Sequence, residues 1–139
     1  MVAHNTTTGS NNNWAQADIS SNEDSTGIIV RATKTLNGGT GYAAYPYFNR
    51  TAILLRAFNG SIFTDIGSWS IGSTLTASTL YTLKVSVTGN VFTAWLNGTS
   101  LGNITDTANT YTIGSYVGLF LNNGVGYDPT ADNFSGGAN

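Results

Sequence analysis

Between Tyr81 and Asp106 the chain reads YTLKVSVTGNVFTAWLNGTSLGNITD, and this stretch most limits what the rest can become. Tyr81, Leu83, Val85 and Val87 alternate with Thr82, Lys84, Ser86 and Thr88. A period of two marks a strand with one buried and one wetter face. Gly89-Asn90 turns the chain, and Phe92, Ala94 and Leu96 then alternate with Val91, Thr93 and Trp95. Asn97-Gly98 suits a two-residue hairpin, because both residue types tolerate positive φ. Thr99 to Thr105 returns as a third strand, so the stretch predicts an antiparallel meander.

The remaining chain follows the same pattern. Trp14 to Ser20 alternates, and Gly27 to Thr33 places Ile28, Val30 and Ala32 on one face and Ile29, Arg31 and Thr33 on the other. An arginine in so apolar a run needs an ion partner, an edge where its head reaches water, or a ligand. Gly41 to Phe48 is a strand with Tyr45 and Tyr47 on one face. Pro46 cannot donate to a ladder, so an edge position or a bulge is expected there. Thr51 to Phe58 and Ser61 to Trp69 are strands joined by an Asn59-Gly60 turn, and Ile71 to Thr79 is a loop. Ser115 to Asn122 is a central strand, and Asp132 to Phe134 a short final one. About ten short strands split by Gly and Asn turns, with no convincing helix, predict an all-β antiparallel jelly-roll sandwich. Residues 1–13 form a polar N-terminal segment, and residues 14–137 a single jelly-roll domain.

Composition narrows function. Charged residues make up only 9% of the chain and the net charge is −2, so the basic footprint of nucleic-acid binding is missing. Asn, Ser and Thr total 50 residues, which predicts a surface of hydroxyls and amides. No apolar run reaches the roughly 18 residues of a membrane span, and no signal peptide is expected from the first 13 residues. Cysteine is absent, which excludes disulfides and thiol chemistry. Six Asn-x-Ser/Thr triplets, at Asn5, Asn49, Asn59, Asn97, Asn103 and Asn133, follow from so much Asn and Thr.

The runs YTLKVSVTGNVFTAWLNGTSLGNITDT, IGSYVGLF and ADNFSGG, with GIIVRA ahead of a tyrosine-bearing strand, resemble the laminin-G-like, concanavalin-A-like jelly-roll superfamily. The resemblance runs from about Trp14 to Gly137. It implies domains of secreted bacterial glycan-active proteins or of tailed-phage structural proteins. Such domains often open with an extra strand that pairs with the closing one. With 13 residues before Trp14, that strand looks shortened or absent, which should leave the strand near Phe134 with an open edge.

Catalysis is not expected. The acids Asp18, Glu23, Asp24, Asp65, Asp106, Asp128 and Asp132 show no alternating pair on a central strand, as a retaining glycosidase would need. The lone His4 lies on the N-terminal segment, too remote for a triad. No cofactor is expected; Asp128 and Asp132 are weak candidates for a calcium site because both offer hard oxygen ligands. Ligand-binding candidates are Trp95, Tyr45, Tyr47 and Arg31, expected together on one outer, concave side. Rings stack on the apolar face of a pyranose while amides and arginine bond its hydroxyls. For Trp95 the alternative is burial under loops as part of the core. The chain is therefore expected to be a non-catalytic attachment or assembly module. The leading reading is a decoration or fibre domain of a phage virion, with subunits of a larger assembly or surface glycan as partners; the alternative is a carbohydrate-binding, lectin-like module of a secreted bacterial glycan-active protein, and a glycoside hydrolase is the lesser alternative. The expected location is the virion surface or the extracellular space.

Overall fold

The computed structural model describes residues 5–20, 26–33, 38–46, 51–121, 126 and 128–139. They form eleven strands and no helix. These are β1 (Asn5–Thr7), β2 (Asn13–Ser20), β3 (Thr26–Ala32), β4 (Thr40–Pro46), β5 (Ala52–Asn59), β6 (Ile62–Ser70), β7 (Tyr81–Thr88), β8 (Val91–Leu96), β9 (Thr99–Thr105), β10 (Tyr116–Leu121) and β11 (Thr130–Ala138). A six-stranded sheet runs β1-β10-β3-β4-β5-β6, and a five-stranded sheet runs β11-β2-β7-β8-β9. Neighbouring strands are antiparallel throughout.

The expected meander is β7-β8-β9. Leu83 pairs with Leu96 and Val87 with Phe92, so one face of both strands turns inward together. Between the sheets that face meets Ile28, Val30, Tyr42, Ile53, Leu55, Trp69 and Val117 from the other side. Asn97 and Gly98 take φ of +49° and +80°, the conformation a two-residue hairpin demands. The β5-β6 turn falls one residue later than expected, on Gly60-Ser61, because Asn59 still pairs with Ile62.

Three other expectations are corrected. Ala32 leaves the Ile28 and Val30 face and packs with Ile29 on the outer side, because a bulge at Arg31 resets the alternation. Pro46 is not on an edge strand: β4 lies between β3 and β5, and Pro46 is its last residue, beyond the β3 pairing that stops at Ala44. The final strand spans nine residues rather than three, since Thr130 to Ala138 pairs with nearly the whole of β2 around a bulge after Asp132. The open edge expected near Phe134 is present: the three-residue β1 pairs with β10 and not with the closing strand, so among the described residues β11 pairs with β2 alone.

A second apolar layer covers the outside of the six-stranded sheet. Tyr45 stacks on Phe120 with ring centroids 5.2 Å apart, and Phe63 meets Phe120 edge-on at 5.7 Å. Ile29, Ala32 and Phe58 join them. Gly41 has no room for a side chain, since a Cβ would stand 2.9 Å from the Phe58 ring and 2.8 Å from the Ala32 backbone.

Phe92 is fully buried at the centre of the inter-sheet core, together with Val85, Leu119 and the partly buried Leu96. Phe92→Ala should therefore cost about 3–5 kcal/mol in urea-unfolding free energy. A loss under about 1 kcal/mol, usual for a surface site, would contradict this placement.

Candidate functional site

Strand alternation that sends Leu83, Val85, Phe92 and Ala94 inward sends the intervening residues of β2, β7 and β8 outward. Register then sets them in rows. Gln16 pairs with Lys84, and Lys84 with Trp95; the next row runs from Trp14 to Ser86 to Thr93. The Lys84 ammonium stands 4.9 Å from the centre of the Trp14 ring and 5.2 Å from that of Trp95. A cation over an indole is held by the ring quadrupole. The lysine thus ties together two half-buried indoles from different strands, and its charge has no ion-pair partner among the described residues. Among the described residues neither indole Nε1–H nor the Gln16 side-chain amide has a hydrogen-bond partner. Gln16, Thr82, Lys84, Trp95 and Gly98 surround an open hollow of about 250 Å³. Gly137 lies beside Trp14, where a Cβ would come within 3.2 Å of the indole nitrogen.

One row further along, Asp18 accepts from Thr82 Oγ1 at 2.5 Å and from Asn133 Nδ2 at 2.7 Å. The bond from Asn133, then that from Thr82, hold its carboxyl below the usual range. Asp132 pairs directly with Asp18 across the strands, a proximity that spacing along the chain does not reveal. Asp128 is exposed. Among the described residues no group of three or more His, Cys, Asp or Glu side chains gathers in a way that could hold a metal ion.

The expected one-sided constellation does not form. Trp95 is on the outer face of the five-stranded sheet, whereas Tyr45 lies on the outside of the six-stranded sheet, 5% exposed within the aromatic layer. Arg56 donates to its hydroxyl at 2.9 Å and forms an ion pair with Asp65. Tyr47 lies outside the described residues. Arg31 is at the end of the sandwich near the β7-β8 turn, 3% exposed, and forms no salt bridge among the described residues. The platform partners Trp14 and Lys84 were missed in sequence because each sits on a separate strand. Outward alternation with Trp95 was their only signal.

At that end a buried network joins the sheets. The Tyr42 hydroxyl, from β4, donates to Asp106 Oδ2 at 2.7 Å and accepts from the Tyr111 amide at 2.8 Å. The backbone N–H of Thr110 and of Ala108 also donate to Asp106, at 2.9 and 3.1 Å. Burial alone would raise the Asp106 carboxyl, but the bond from Tyr42 and those from the 108–110 loop outweigh it and leave the group below its usual value. Burial first, and the Asp106 carboxylate second, push the Tyr42 phenol far above its usual range.

Similarity to solved structures lies in the fold. The carbohydrate-binding module CBM66 from Bacillus subtilis matches 97% of this chain and 78% of its own length, with a TM-score of 0.69 and 14% identity. A tetrameric galectin from the ball sponge Cinachyrella matches 96% of this chain and 98% of its own, with a TM-score of 0.65 and 10% identity. A candidate glycosyl hydrolase from Parabacteroides distasonis matches 98% of this chain and 80% of its own, with a TM-score of 0.62 and 9% identity. No family model and no curated protein sequence matches the chain. The architecture is therefore a jelly-roll sandwich, and at such identities the likeness extends no further than fold.

The Tyr42–Asp106 bond generates a pH-dependent prediction. A depressed carboxyl pKa contributes stability that is complete above the ordinary value of 3.8 and is lost as the pH falls below it. Tyr42→Phe should cost about 1–3 kcal/mol at neutral pH by stranding a buried acceptor. Wild-type and variant urea-unfolding free energies should converge as the pH drops below 3.8. A gap that stays constant with pH would separate the phenol from the carboxylate.

Proposed function

We propose that this chain is a non-catalytic carbohydrate-binding module that holds a glycan on the outer face of its five-stranded sheet. The observation that carries the reading is the Trp14–Lys84–Trp95 array. Two indoles held in place by one lysine offer apolar surface for the carbon face of a sugar ring. Around them the Lys84 ammonium, the Gln16 side-chain amide and the two indole N–H groups supply donors for hydroxyls, none of them spent on a hydrogen bond among the described residues. Rigid strands set the array, so little ordering entropy is lost on binding. The similar folds include proteins named as a carbohydrate-binding module and as galectins, which supports this alternative over the virion reading.

One carboxylate beside the platform does not suit the part of a general acid. Asp18 and Asp132 face each other beside the platform, but a glycosidase general acid needs a raised pKa to stay protonated. Asp18 is held in the opposite direction by Asn133 and Thr82.

One observation favours a second reading, assembly into a larger particle such as a virion. Among the described residues β11 pairs on one side only, and an edge of nine residues is a place where another chain can add a strand.

A glycan array followed by calorimetric titration tests the first reading. Trp95→Ala and Trp14→Ala should each weaken binding at least tenfold, or about 1.4 kcal/mol, with little change in melting temperature. A silent array together with concentration-dependent self-association in light scattering would reject the glycan reading in favour of assembly at β11.

A further inference from the structure

A second hollow, of about 510 Å³, opens at the Gly89-Asn90 end of the sandwich, away from the Gly98 end where the Trp95 hollow lies. Asn11, Asn12, Arg31, Gly89, Asn90, Asn109 and Thr112 line it. We propose that this hollow binds the carboxylate of an acidic sugar, with the Arg31 guanidinium as its anchor and the surrounding amides and hydroxyl as partners for the ring.

Arg31 is the unusual group. It sits in the interior of a sheet, 3% exposed, with a φ of +47° that L-residues other than Asn and Asp seldom adopt. The bulge opposite Val117 accommodates this backbone and turns the side chain from the sheet face toward the open end. Several contacts hold it there. The Arg31 amide donates to Asn13 Oδ1 at 3.0 Å, Nε donates to the Asn11 carbonyl at 2.8 Å, and the terminal nitrogens reach the Tyr111 carbonyl at 3.4 Å and Asn12 Oδ1 at 3.3 Å. Gly114 must be glycine for this packing, since a Cβ would stand 2.4 Å from the Arg31 carbonyl oxygen.

A guanidinium has five N–H donors, and three are used by the chain. The two that remain belong to a buried cation with no carboxylate in hydrogen-bond contact among the described residues. Asp106 is close enough to be felt electrostatically, but its oxygens are taken by Tyr42, Ala108 and Thr110 and it does not line the hollow. A planar pair of oxygens matches a guanidinium edge, and burial strengthens the attraction relative to water. The Asn109 backbone N–H donates to the Asp106 carbonyl at 3.1 Å, but among the described residues its side-chain amide and the Thr112 hydroxyl make no hydrogen bond, so both remain for sugar hydroxyls. The site shares no lining residue with the platform and stands or falls without it.

Sodium glucuronate is the probe, with glucose and sodium acetate as controls, titrated while the Arg31 Nε–H resonance is followed by NMR. Glucuronate should shift that resonance, with weaker responses to acetate and to glucose. Arg31→Lys keeps a charge but loses the planar fork, and should weaken glucuronate about tenfold. Because Arg31 is buried and its variant can unfold, the double variant Asn109→Gly and Thr112→Val is the companion. Glycine suits the φ of +50° at position 109, valine keeps the shape of threonine, and this variant too should bind glucuronate more weakly. Ile62→Ala, exposed on β6 and lining neither hollow, should leave the titration unchanged. An unmoved Arg31 resonance, an equal response to glucose, or acetate binding as tightly as glucuronate would each overturn the proposal.

Discussion

The bond from Tyr42 to Asp106 is the point on which the open end of the sandwich depends. Tyr42 belongs to the six-stranded sheet, and Asp106 follows directly on β9 of the five-stranded one. Tyr42 also packs against Phe92 with ring centroids 4.5 Å apart and against Tyr111 edge-on at 5.8 Å. One side chain thus fills the core and terminates it with a polar tip, as a buried tyrosine must. Apolar contact between two sheets is non-directional and leaves them free to slide. A short, charged hydrogen bond in a low-dielectric interior fixes their relative position. It also orders the 106–111 loop, whose Tyr111 carbonyl helps to hold Arg31.

The two outer surfaces differ in chemistry because their polar groups are used differently. On the six-stranded sheet the aromatic residues bury one another, and the Arg56–Asp65 ion pair with the Tyr45 hydroxyl is internally satisfied. The five-stranded sheet keeps its indole and ammonium donors unspent. A face whose donors are already paired gains little from a polar ligand, whereas unspent donors on rigid strands bind without first losing a bond. That difference supports the proposed sugar platform at Trp14, Lys84 and Trp95, and aromatic content alone would not have chosen between the two sheets.

Polyamide stretches also acquire a role that composition hides. Asn11, Asn12 and Asn13 form a run that reads as irregular polar chain. Folded, Asn13 accepts from the Arg31 amide and donates to the Gly114 carbonyl, Asn11 accepts from the Gly114 amide, and Asn12 accepts from both Arg31 and Gly89. An asparagine offers a donor and an acceptor at one site, so three in sequence can stitch together β3, the β7-β8 turn and the loop before β10. The buried cation is solvated by amides in place of an ion pair.

The sequence by itself determined the sheet architecture. Alternation and Asn-Gly or Gly-Asn turns are local properties, since a strand's two faces and a hairpin's φ angles are set within a few residues. Phe92, Val85 and Leu119 were legible as core, and Trp95 as outward, on that basis alone. What only the tertiary structure decided was which outward residues share a surface. Strands far apart in sequence become neighbours through register and through the assignment of each strand to a sheet, so Trp14 joined Trp95 while Tyr45 went to the opposite side. A single bulge was enough to move Arg31 off its expected face, because one inserted residue inverts the period of two for everything beyond it.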